Sequence, residues 1–186
     1  MDEMPHLTLP TLSRRAFTVS MAGAGATLLR SAAMEMHWAL ISDIHVPEDP
    51  AEAYRGFKPY ENFEKVMGQV AAAKPHGALI CGDVARLTGK VGDYANVRKL
   101  LAPVTASMPV ALALGNHDDR PNFLAALGEM QKGAQPVAKK HVLVVESAVA
   151  RFIVLDSNMA TNLTPGLLGK AQRTWLAEYL ASASEL

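Results

Sequence analysis

The chain has 186 residues, 49% of them hydrophobic and 19% charged, which suits one globular domain with its own core and excludes a disordered polypeptide. Eighteen basic residues offset eighteen acidic ones; with no run of like charge, the partner indicated is a small molecule rather than nucleic acid or an anionic membrane surface. Cys81 is the single cysteine, so an intrachain disulfide is excluded, and among the apolar neighbours of "GALICGD" it reads as a small hydrophobe with a blunted thiol.

Residues 1–33 read as an address. Arg14 and Arg15 precede a mildly apolar stretch from Ala16 to Leu29, then the small residues Ser31, Ala32 and Ala33, where a peptidase could cut. The apolar stretch is shorter than the roughly 20 residues that cross a bilayer, so no stable membrane anchor is expected. The run Ser13, Arg14, Arg15, any residue, Phe17 resembles the bacterial twin-arginine export signal. That resemblance implies a periplasmic protein exported already folded, often with its metal in place, and a mature domain over 34–186.

From there the chain alternates. "HWALIS" (37–42), "GALIC" (77–81) and "PVALAL" (109–114) are short apolar runs of buried-strand type. Between the first two, Phe63, Val66, Met67 and Val70 recur at helical spacing, with Pro59 suited to the first turn and Pro75 closing the segment. Between the second and third, Tyr94, Val97, Leu100 and Leu101 do the same after Gly92 and Asp93. Such alternation predicts parallel strands joined by crossover helices in an α/β fold. Arg120 and Pro121 open a helix carrying Phe123, Leu124 and Leu127; "HVLVVES" and "ARFIVLDS" follow as a hairpin; a last helix carries Trp175, Leu176, Tyr179 and Leu180 on one face.

Each of the first three strands ends in metal-binding chemistry: Asp43 and His45 after the first, Gly82 and Asp83 after the second, Gly115, Asn116, His117 and Asp118 after the third. Side chains two apart in extended chain point the same way, so Asp43 and His45 can close on one ion. In a parallel sheet all three sets lie at the carboxyl ends, where open α/β sheets gather their ligand sites. Gly82 and Gly115 would let the backbone turn sharply beside the cluster.

The order D-x-H, GD, GNHD, each after an apolar strand, resembles the calcineurin-like metallophosphoesterases, and among them the branch with class III cyclic nucleotide phosphodiesterases and glycerophosphodiesterases. The resemblance implies a four-layer αββα sandwich, two divalent metal ions (manganese, iron or zinc) and hydrolysis of a small phosphoester, diester more than monoester, by a metal-bound hydroxide. It also implies roles: Asp43 and His45 on the first metal, Asp83 bridging, Asn116 on the second, and His117 outside the ligand set. His117 would then protonate the leaving alkoxide, oriented by Asp118.

The family has three further histidine ligands downstream, and none is present before the chain ends at Leu186. The chain is accordingly expected to be C-terminally truncated, lacking later strands, and to bind at most one divalent ion weakly by itself. The alternative reading is a non-catalytic fragment that keeps part of the fold. His37, His76 and His141 fall off the motifs and read as surface or strand-edge residues, while Asp156 reads as structural.

Overall fold

The computed structural model describes residues 6–8, 35–131 and 135–183. Its strands are β1 (His6–Thr8), β2 (Trp38–Ile41), β3 (Gly77–Cys81), β4 (Val110–Ala113), β5 (Leu143–Glu146) and β6 (Arg151–Val154). Its helices are α1 (Pro59–Ala73), α2 (Val91–Thr105), α3 (Arg120–Leu127) and α4 (Gly169–Ser182), with a 3-10 turn at Gly128–Gln131.

The predicted crossovers are present: β2, β3 and β4 form a parallel sheet in that order, with Leu40 opposite Leu79 and Leu79 opposite Ala111. Period-2 alternation then divides the sheet between two cores. Ala78, Ile80, Val110 and Leu112 meet Phe63, Met67 and Val70 of α1 and Tyr94, Val97 and Leu101 of α2. Ala111 and the partly buried Trp38, Leu79 and Ala113 face the other way, against Leu143, Val145, Phe152 and Val154 of a second sheet. The Trp38 ring lies 4.7 Å from that of Phe152, tilted at 57° to it, and over Gly77, where a Cβ would sit 2.6 Å from it.

β5 and β6 are the expected hairpin, pairing Leu143 with Val154 and Glu146 with Arg151. Glu146 and Arg151 point outward, where α4 brings Tyr179: its hydroxyl lies 3.2 Å from Glu146 Oε1, and the Arg151 guanidinium lies 5.8 Å over its ring. Helices, sheet, sheet and helix thus stack in four layers.

Two expectations need correction. The last helix buries Gln172 and Tyr179, while Leu180 is exposed, because the polar end of β6 needs the glutamine. Cys81 is exposed, since the second sheet's apolar side chains stop short of the carboxyl end of β3; Leu40 of β2, 64% exposed, lies beyond them too. The thiol is still pushed up in pKa, by partial burial and by the Asp43 carboxylate. β1, too short to show a period in sequence, pairs in parallel with β5, His6 opposite Val144, within the span read as a leader. The rest of that leader lies outside the described residues. Among the described residues, no helix is long and apolar enough to cross a membrane.

Candidate metal centre

The loops leaving β2 and β3 stay laced together beyond their strands. Asp43 N–H donates to the Gly82 carbonyl at 3.1 Å, His45 N–H to that of Asp83 at 3.0 Å and Val46 N–H to that of Val84 at 3.0 Å. Along this seam Asp43, His45 and Asp83 all adopt left-handed backbone, φ 55°, 44° and 48°. Aspartate and histidine tolerate that region better than most residues, but three together at a loop junction is strain of the kind found at functional sites. The extended geometry expected for Asp43 and His45 is therefore absent; left-handed turns make their side chains converge.

Converge they do. One ligand atom each from Asp43, His45 and Asp83 lies within 4.8 Å of the others. His45 Nε2 is 4.0 Å from Asp43 Oδ1 and 3.9 Å from Asp83 Oδ2. The other ring nitrogen, Nδ1, is 3.1 Å from the Arg86 carbonyl. A carbonyl only accepts, so a proton sits on Nδ1, which directs Nε2 toward the two carboxylates as the nitrogen a metal ion would take.

The third loop is held to this pair by Asp83. His117 N–H donates to Asp83 Oδ1 at 3.0 Å, and a Cβ on Gly115 would collide with the Asp83 carboxylate and amide. Gly82, at φ 99°, would carry a Cβ 2.9 Å from Gly115 N. Both glycines therefore answer to close approach of the β3 and β4 loops. Asn116 lies between Gly115 and His117, flanked on both sides by contacts to Asp83. Two carboxylates and an imidazole in reach of one another, in a cradle that side chains at 82 and 115 would fill, suit a hard or borderline divalent ion. Asn116 is adjacent in chain, but only its backbone carbonyl has a described contact, with Asn162 N–H.

His117 is positioned otherwise than its sequence neighbours suggested. Its ring lies 5.3 Å from that of His45. Its Nδ1 is 3.0 Å from the Leu87 carbonyl and 2.7 Å from Asn162 Oδ1, leaving Nε2 for other work. Asp118 does not orient it. That carboxylate is fully buried and accepts from Gly115 N–H (2.8 Å), Ala85 N–H (2.9 Å), Val84 N–H (3.1 Å) and the Tyr94 hydroxyl (3.1 Å). Burial pushes its pKa up, and those donors pull it only part of the way back. It staples the β3 and β4 loops together, while Asp119 caps α3 by accepting from Asn122 N–H at 3.0 Å.

A polar loop after β6, unread in the sequence, clamps the same turn. Asn162 N–H donates to the Asn116 carbonyl at 2.6 Å. Asn158 Nδ2 donates to the Gly115 and Asp118 carbonyls, each at 3.0 Å. The signal available was the cluster Asp156, Asn158, Asn162 after an apolar strand. Asp156 anchors that loop: it is buried, takes both Arg120 Nε (2.6 Å) and Nη2 (2.9 Å), and accepts from His141 N–H at 2.8 Å. Burial alone would raise its pKa, but Arg120, the His141 amide and Lys140 outweigh burial and hold it below the ordinary range. Arg120 thus does more than open a helix.

The remaining histidines lie off the centre. His37 and His76 stack at the amino ends of β2 and β3, ring centroids 6.2 Å apart. His141, expected at the surface or a strand edge, is fully buried, with Nε2 2.7 Å from the Leu112 carbonyl and no partner on Nδ1.

Residues 36–158 match the family model of the calcineurin-like phosphoesterases. A "Probable cyclic nucleotide phosphodiesterase" of Rhodococcus erythropolis is 28% identical over 145 residues, which cover 76% of this chain and 46% of that protein. A purple acid phosphatase isolated from yellow lupin (Lupinus luteus) seeds superposes with a TM-score of 0.53 over 80% of this chain and 28% of that one, at 15% identity, a likeness of fold. The chain spans about half the length of the Rhodococcus relative.

Proposed function

The chain belongs to the calcineurin-like phosphoesterase family, and we propose that it supplies the metal cluster and a proton-carrying histidine for hydrolysis of phosphoric esters, diesters in preference to monoesters. The observation that carries this reading is the convergence of Asp43, His45 and Asp83 at adjacent strand ends; the preference for diesters rests on the phosphodiesterase relative.

In this reading Asp43 and His45 would hold a first divalent ion, Asp83 would serve both it and a second, and Asn116 would serve the second. Such ions supply neutralisation of the phosphoryl oxygens and acidification of water. The chain's own residues do the rest. Arg86 fixes the His45 tautomer, Asp83 ties the β3 loop to the His117 amide, and Leu87 with Asn162 holds the His117 ring so that Nε2 can deliver a proton to the departing oxygen. Asp118 acts at a distance, keeping the loops together.

Titration of manganese into the protein tests this. We expect manganese binding that is abolished in Asp83→Asn and kept in His117→Ala. Any hydrolysis of bis(p-nitrophenyl) phosphate should need manganese and vanish in Asp83→Asn. Binding indifferent to Asp83 would overturn the assignment, and loss of metal in His117→Ala would make His117 a ligand. We also propose export by the twin-arginine route, read from Arg14 and Arg15; replacing both with lysine should leave the protein in the cytoplasm, and unchanged periplasmic delivery would refute it.

A further inference from the structure

Beside the cluster lies a cavity of about 750 Å³, walled by Tyr54, Phe57, Phe63 and Val66 and reaching Asp43, His45 and His117. Phe63 is a core residue, but Tyr54 and Phe57 are 50% and 66% exposed, unusual for two aromatic side chains so close together. They are not on loose chain. Tyr54 N–H donates to the Phe57 carbonyl at 2.8 Å and Phe57 N–H to that of Tyr54 at 2.9 Å. Arg55 and Gly56 between them have φ 51° and 83°, the two positive values of a type I′ hairpin turn. Residues directly paired across such a turn present their side chains on one face.

Arg86 couples this turn to the metal cluster. Its guanidinium lies 4.9 Å over the Tyr54 ring, its Nε is 2.7 Å from Glu52 Oε1, and its carbonyl takes the His45 Nδ1 proton. The one basic side chain in the cavity wall is thus already engaged by a carboxylate and a ring. Apart from the cluster, His117 and the uncharged Ser42 and Asn62, what remains of the wall is apolar and aromatic, of a size suited to a small organic group.

Resting on the phosphoester reading, the geometry points to a specificity subsite: the cavity between the Tyr54–Phe57 turn and α1 receives a flat, uncharged aromatic ring carried by the ester, with its phosphorus over Asp43, His45 and Asp83. Tyr54 and Phe57 offer ring faces and edges to it, and Arg86 holds Tyr54 in place.

Neutral ring probes separate this inference from the activity. With metal chelated, 1-naphthol and adenosine are titrated against the whole chain by ligand-detected NMR, with glycerol as the non-aromatic control. The naphthyl and purine rings should bind and glycerol should not, whichever of the two rings binds better reporting the preferred size. Phe57→Ser, a change at an exposed side chain, should weaken ring binding about tenfold, Tyr54→Ala should do likewise, and Asp83→Asn should leave it unchanged. On adding manganese, the bound ring's resonances should broaden in the wild type and stay sharp in Asp83→Asn. Ring binding without any ester hydrolysis would refute the proposed activity and leave the subsite standing. Equal binding of glycerol and naphthol, or ring binding indifferent to both Tyr54 and Phe57, would overturn the subsite even in an active enzyme.

Discussion

Asp118 and His117 are neighbours in sequence and opposite in role, and substitution separates them. Removing the Asp118 carboxylate strands three backbone N–H groups, those of Val84, Ala85 and Gly115, each unsatisfied group costing about 1–3 kcal/mol, and takes one partner from the Tyr94 hydroxyl, which keeps Asp119. Asp118→Ala should therefore lower the free energy of unfolding in urea by several kcal/mol, on the order of 3 or more. His117→Ala, at a half-open ring, should stay within about 1 kcal/mol of wild type. The reverse order would return Asp118 to a catalytic role. Two buried groups also predict how stability varies with pH. Burial holds the His141 pKa down despite the Leu112 carbonyl and Asp156, which pull it up. A depressed histidine contributes stability in full above its unfolded value, about 6.5, and loses it as pH falls below. Asp156, also depressed, contributes above about 3.9 and loses its share only in stronger acid. Asp118, raised by burial, works the other way as pH falls, so the His141 share is read by difference. Urea midpoints of the wild type should lose more between pH 7 and 5 than those of His141→Gln, and equal slopes would exonerate His141.

At the scale of elements, two glycines show what the turns require. Gly115→Ala should drive a methyl into Asp83, destabilise the fold and abolish manganese binding. Gly68→Ala, inside α1 with open space around its Cβ position, should stabilise by about 0.5–1 kcal/mol and leave binding intact. Melting curves with and without manganese decide both, and tolerance of alanine at 115 would contradict the close approach of the two loops. Strands β2 to β6 and helices α1 to α3 were legible because each carries a short apolar run or a helical stripe, as Phe63, Met67 and Val70 do; β1 is too short for one, and α4 buries a glutamine where an apolar stripe was expected. The strand-end residues were legible as a set for the same reason, since a parallel sheet gathers its carboxyl ends. What the sequence hid was direction. Nothing in "NHDD" says that Asp118 turns inward to backbone amides while His117 turns outward. Nor does "SDIH" show that Asp43 and His45 leave extended geometry. The partners that hold His117 and the Asn116 carbonyl come from position 162 and the Leu87 carbonyl, too distant in sequence for local pattern to link them.

For the molecule as a whole, the centre is assembled from segments made at different times. The seam joining Asp43, His45 and Asp83 closes within the first crossover, spanning about forty residues. The clamp on Asn116 and His117 needs Asn158 and Asn162, from beyond the hairpin of the second sheet. The two closures span similar lengths of chain, about forty residues for the seam and 43 and 45 for the clamp, so loop-closure entropy barely separates them. The order comes from the seam needing only β2 beside β3, whereas the clamp needs β4 and the second-sheet hairpin in place as well. In refolding, an amide-exchange pulse should find His45 and Val46 protected before Asn162, and simultaneous protection would argue against any order. The folding chain would acquire a place for an ion before it acquires a fixed proton carrier, so that ion capture belongs to the history of the fold as well as to its finished chemistry.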